Sequence, residues 1–276
     1  MTKPTLALLA ALATLSLSSC LDVVNIDTPE SPALLAVEGQ ITDEARPATV
    51  GLTLTQGYFN QAAPTTVSGA LLVLTDDLGA VDTLRETAPG RYVGRGTVRG
   101  RTGGSYVLRL TALGQTYEAV TEIRRTPPID SVRLVRKDQP PRFEPGLYAI
   151  YYGPELPGVG DYVRIRTWQN DTLANDPGDL RVFSDELVDG NYLGDIPLND
   201  DPLRSGEKVK VEMTSITRDY YYYLNEMFTQ INNVGLFATT PANVRTNVRN
   251  VVAGTNQVAV GYFAGFTVRQ DSVVVP

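Results

Sequence analysis

The chain has 276 residues, a formal net charge of −7, a single cysteine and no histidine. Without histidine it cannot run Ser-His-Asp or Cys-His catalysis, and the usual catalytic zinc and facial-triad iron sites are excluded as well. The acidic balance argues against nucleic acid, whose binders present basic faces, and one cysteine excludes an internal disulfide.

Lys3 precedes twelve uncharged residues, Leu6 to Leu17. That length suits the apolar core of an export signal and is too short to span a bilayer. Leu17-Ser18-Ser19-Cys20 follows and resembles a lipobox, with a branched apolar residue three before the cysteine and two small residues between. The resemblance implies removal of residues 1–19 and a diacylglycerol on the Cys20 sulfur. Acyl chains contribute roughly 0.8 kcal/mol per buried CH₂, so several on one residue anchor a chain firmly. Residues 20–33 carry two prolines, three acids and no period, which reads as a tether.

From Leu34 to Arg125 the pattern is β throughout. Leu35, Val37 and Ile41 alternate with Ala36, Glu38 and Gln40, and Val50, Leu52 and Leu54 share one face. Turn signals at Asp76–Gly79, Pro89-Gly90 and Leu113-Gly114 divide about seven short strands. Such spacing predicts an Ig-like β-sandwich over 34–126. Pro127-Pro128 marks a boundary, since proline cannot join a central strand. Strand patterns resume at Ile129–Val135, Leu147–Tyr152 and Tyr162–Trp168. Val209, Val211 and Met213 alternate with Lys208, Lys210 and Glu212. One helix is predicted near 217–233, capped by Thr217, with Tyr220, Tyr223, Leu224, Met227 and Ile231 on its apolar face. The expected fold is mostly β: the sandwich, then a β-rich C-terminal domain over 127–276 with one α-helix.

Several segments in this order resemble one family. They are Leu34-Leu35-Ala36-Val37-Glu38-Gly39-Gln40-Ile41-Thr42-Asp43, Val67–Ala70, Leu74–Gly79, Pro89–Tyr92, Gly114–Ala119 and Pro127–Ser131. Ile216-Thr217, the Tyr220–Tyr223 run and Val260–Phe263 continue the match. The chain resembles the DUF4249 family of Bacteroidota-type outer-membrane lipoproteins over nearly all its length. The stretch Leu236–Arg245 departs from the family's pattern after the helix. The resemblance implies an outer-membrane location and a TonB-dependent transporter as partner, and it carries no catalytic residues to transfer.

Candidate sites are few. Between Val182 and Leu203 lie six acids and no basic residue. Asp185, Asp189 and Asp195 are its candidate Ca²⁺ ligands. Their spacing does not match an EF-hand loop, and a solvated acidic loop is the default. Paired carboxylates of a hydrolase are the other possible use of such acids. Trp168, Tyr221 and Tyr222 are the aromatic candidates for ligand or partner binding, set against half-buried packing as the plainer reading. Arg95, Arg99 and Arg101 punctuate a glycine-rich stretch, read as an exposed basic loop facing an acidic neighbour. The expectation is a non-catalytic protein without cofactor, held to a membrane by lipid and serving uptake. The ligand is unspecified, and a structural or adhesive surface role is the alternative.

Overall fold

The computed structural model describes residues 32–57, 60, 62–140, 142–233, 239 and 242–276. The expected export segment, Cys20 and most of the tether lie outside these residues. Ala33–Pro276 forms one compact unit.

Period-two alternation makes the strands. In β1 (Leu35–Thr42) Leu35, Val37 and Ile41 are buried, and in β2 (Thr49–Leu54) Val50 and Leu52. Next come β3 (Leu71–Asp76), β4 (Val81–Thr83), β5 (Arg85–Ala88) and β6 (Arg91–Val93). Then β7 (Ser105–Ala112) buries Tyr106, Leu108 and Leu110 and pairs with β8 (Gln115–Glu122). Leu113 and Gly114 both have positive φ, +53° and +73°, which matches the twist of the flanking strands in a two-residue hairpin. Each fully buried Leu or Val contributes roughly 1.5–3 kcal/mol. Asp82 is a buried exception, 3 % exposed. Its carboxylate accepts the backbone N–H groups of Arg95, Gly96 and Thr97, so the glycine-rich stretch is wound around an acid. The arginine side chain at its far end, Arg101, pairs with Asp77.

Past the double proline run β9 (Ser131–Gln139), β10 (Phe143–Pro154), β11 (Tyr162–Gln169), β12 (Thr172–Leu173), a 3₁₀ turn (Pro177–Asp179) and β13 (Arg181–Ser184). They are followed by β14 (Tyr192–Pro197), β15 (Lys208–Ser215), helix α1 (Arg218–Ile231), β16 (Val248–Asn250), β17 (Ala259–Phe266) and β18 (Val268–Val274). One sheet has the order β14-β10-β9; the other has β12-β11-β15-β18, with β13 also on β11. Val132, Ala149, Ile165, Val209, Val211 and Met213 fill the core between them.

The split between 34–126 and 127–276 needs one correction. The first sandwich's sheets are β17-β1-β2-β6-β5 and β16-β8-β7-β3-β4, so two late strands complete it. β17 lies parallel to β1, Leu35 opposite Ala259 through Thr42 opposite Phe266. The reason is edge satisfaction: β1 and β8 have unpaired backbone edges that only these late segments fill. β17 then runs into β18, which pairs with β15 in the second sandwich. Thr267, fully buried, is the hinge between them. Its N–H donates to Ser215 Oγ (2.9 Å), its hydroxyl donates to Arg124 O, and Ser215 Oγ donates to the same carbonyl (2.7 Å).

The helix starts as expected, with Thr217 Oγ1 accepting from Tyr220 N–H at 3.1 Å. Leu224 is buried, and Tyr220, Tyr223 and Met227 pack beside it with Tyr262 and Phe266. Ile231, expected on the apolar face, is 49 % exposed, because it lies in the last turn, beyond the cluster that receives Met227.

Candidate functional site

The three acids expected to share a cation are not brought together. Asp189 accepts from Gly158 N–H at 2.6 Å. Asp195, at φ +63°, is exposed on β14 and pairs with Lys137 of β9. Asp185 instead meets Glu155 and Asp161, from the two ends of the Pro/Gly loop between β10 and β11. All three are buried, and each offers an oxygen within 4.8 Å of the others. No spacing in the sequence signals this grouping, since the loop folds back on the acidic segment.

Hydrogen bonds hold the cluster. Both Asp185 oxygens accept from Gly160 N–H (3.0 and 2.9 Å), and Oδ2 also accepts from Asp161 N–H (3.0 Å). Arg125 donates through Nε to Asp161 Oδ2 (2.8 Å) and through Nη2 to the carbonyls of Pro157 and Gly158. Among the described residues the Glu155 carboxylate accepts only a 3.2 Å contact from Leu156 N–H. Burial, with the charges of Asp161 and Asp185 adding, holds the Glu155 carboxyl above its ordinary value. Three carboxylates facing one guanidinium suit a hard, oxygen-seeking cation or a retained proton.

The aromatic candidates divide. Tyr221 packs on Tyr162, ring centroids 5.0 Å apart, and belongs to the helix cluster. Tyr222 stands at the surface with Arg245 4.9 Å and Arg218 5.5 Å from its ring centre, a cation–π arrangement. Arg245 also grips the helix through Glu226 (Nη2–Oε1 2.6 Å) and Asp219 (3.0 Å). Arg245→Ala is therefore expected to cost about 1 kcal/mol, a discounted figure because these side chains are over a third exposed. The Arg245 hydrogen bonds hold the Glu226 carboxyl below its ordinary value of 4.5. A lowered folded-state pKa gives stability that is present above the unfolded value and lost as pH falls through the folded one. The stability gap between wild type and Arg245→Ala, read by urea unfolding, should thus be full at pH 7 and narrow below about pH 4.5.

Trp168 is half-buried rather than a core residue. Lys210 Nζ lies 3.8 Å from its ring centre and the Arg166 guanidinium 5.3 Å. Its neighbours Arg181, Asp200 and Asp201 line the same open groove of about 610 Å³.

A model of the family described as "Domain of unknown function (DUF4249)" matches residues 22–272. The chain belongs to the DUF4249 family. No curated protein matches its sequence. The DUF4249 match takes in both sandwiches, the helix and nearly all of the strand they share. Its opening segment, Leu34–Asp43, has a structural use at that junction. A Cβ on Gly39 would meet Phe263 at 2.8 Å. Asp43 accepts from Val268 N–H (2.8 Å) and pairs with Arg269 (2.9 Å). Gly39 and Asp43 of that segment thus help pin β17 and β18 in place.

Proposed function

We propose that this DUF4249 chain is a lipid-anchored, non-catalytic outer-membrane lipoprotein that serves as a binding or accessory component of a TonB-dependent uptake system. The observation that carries the anchor is Leu17-Ser18-Ser19-Cys20 behind an uncharged twelve-residue stretch. The compact unit begins at Ala33. A chain of the length between Cys20 and Ala33 spans at most about 45 Å, so the folded unit stays close to the membrane that holds it. Among the described residues no helix is long and apolar enough to cross a membrane. The transporter partner is proposed from the family resemblance, and the half-buried Trp168 in its groove is a recognition surface of the kind a binding component needs.

The test is a gentle affinity purification of the tagged protein from detergent-solubilised outer membrane, beside Cys20→Ala. The expected result is a stoichiometric transporter barrel with the wild type and its loss from the membrane fraction with Cys20→Ala. A clean, partnerless lipoprotein overturns the uptake reading in favour of a structural or adhesive one.

A further inference from the structure

The sheet face that carries α1 is charged. Arg164, Arg166 and Trp168 alternate along it on β11. The β15 register sets Arg164 against Thr214, Arg166 against Glu212 and Trp168 against Lys210. Glu212 is the one carboxylate among these, and it is already used. It is 3 % exposed, takes Arg166 Nε at 2.9 Å, and accepts the Gln270 amide at 2.7 Å.

Arg164 is left with a neutral residue opposite. Among the described residues no carboxylate lies within ion-pair distance of it. The carboxylates of Glu212 and Glu38 attract it from further away, while Arg166 repels it. Burial lowers its pKa from the ordinary value, yet an arginine stays protonated in a protein. A half-buried guanidinium with no carboxylate in direct contact is costly to keep.

Arg164 lines a pocket of about 240 Å³ between α1 and the chain from Leu173 to Leu180. Its walls include Leu173, Leu180, Met227 and Phe228, and Phe228 and Ile231 remain 38 % and 49 % exposed at the helix end. Asp176 and Asp179 also line it, and their charges oppose an anionic guest, a dianion most strongly.

We propose that this pocket binds a small organic monoanion with an apolar body, its carboxylate on Arg164 and its hydrocarbon part against Leu173, Leu180, Met227 and Phe228. A planar carboxylate matches the guanidinium fork. The volume accommodates an acid of roughly eight carbons. The flanking acids select against phosphate and sulfate. The assignment is independent of any transporter partner.

Trp168 is the chain's single tryptophan and serves as the reporter. It pairs with Leu173 across β11 and β12, and Arg166, which also lines the pocket, lies over its ring. The experiment titrates sodium octanoate into the full chain carrying Cys20→Ala, followed by Trp168 fluorescence and by calorimetry. The expected result is saturable binding with Kd below about 1 mM, weakened at least tenfold in Arg164→Gln. Arg164→Lys, which keeps the charge, should retain part of the affinity and covers the case in which the glutamine variant fails to fold. Neutral 1-octanol should bind at least tenfold more weakly and alike to wild type and variants, and sulfate should not compete at about 10 mM. No saturable octanoate response by either readout overturns the proposal. Equal affinity in the Arg164 variants overturns it, as does displacement by sulfate.

Discussion

Gly261→Ala is expected to lower the stability of the folded unit by about 4 kcal/mol, and its melting temperature by roughly 10 °C for a chain of this size. Gly261 sits in β17 opposite Val37 of β1, with φ at +89°. A Cβ there would lie 2.1 Å from the Val37 carbonyl oxygen, 2.9 Å from its carbon and 3.0 Å from its nitrogen. All three are backbone atoms of a central strand and cannot rotate aside. The substitution therefore adds left-handed strain of about 1–2 kcal/mol and breaks the parallel ladder as well. Gly254→Ala is the control. It has φ +76° with nothing within 4 Å of the added carbon, so it should show the conformational part alone. Thermal unfolding followed by circular dichroism compares the two. A Gly261→Ala protein within about 1 kcal/mol of Gly254→Ala would mean that the close approach of β17 and β1 does not hold in solution.

Arg125→Ala should cost about 2 kcal/mol at pH 7.5. Removing one partner of a buried ion pair costs up to 3–5 kcal/mol, and the lower figure applies because the Arg125 side chain is 44 % exposed while that of Asp161 is only 3 % exposed. The sign of the pH dependence follows from Glu155. Its folded-state pKa is raised, so its favourable contribution is fully present below the unfolded value of 4.5 and is lost as pH rises through the folded one. Arg125 opposes that rise, and without it Glu155 becomes harder to ionise. Acidification toward pH 5 should therefore shrink the defect of the variant. Arg125→Lys keeps a charge but not the reach to the Pro157 and Gly158 carbonyls, and it should recover about half. Urea unfolding at both pH values measures this, and a loss of equal size at pH 5 and pH 7.5 would remove Glu155 from the account.

Much of the local structure is legible in the residues. Val209, Val211 and Met213 alternate toward the core because one face of β15 is buried against the other sheet. Thr217 caps the helix, and the hairpin turns fall on Gly90 and Gly114. What escaped is non-local. Nothing near Val260 or Phe263 indicates that their strand adds beside residues 35–42, since strand pairing is set by edges elsewhere in the chain. Polar alternation misleads as well: Arg164, Arg166 and Glu212 read as a solvent face of β11 and β15, yet Glu212 is buried beneath Arg166 and Gln270. Tyr221 falls off the apolar stripe by period, but its long ring reaches Tyr162 across the helix edge. In the acidic segment Asp185 meets Glu155 and Asp161 rather than Asp189 and Asp195, because a folded loop rather than sequence spacing brings them together.

The β17–β18 segment that links the two sandwiches also dictates the order in which the molecule can be made. β1 pairs with residues 259–266 and β8 with 248–250, so during synthesis or export the first sandwich waits, with an open edge on each sheet, until those residues arrive. Pairings of such long sequence separation close slowly. A nascent chain of this kind is exposed to mispairing at those edges for most of its passage. Strands β9 to β15 of the second sandwich are therefore made before β16 and β17 can complete the first.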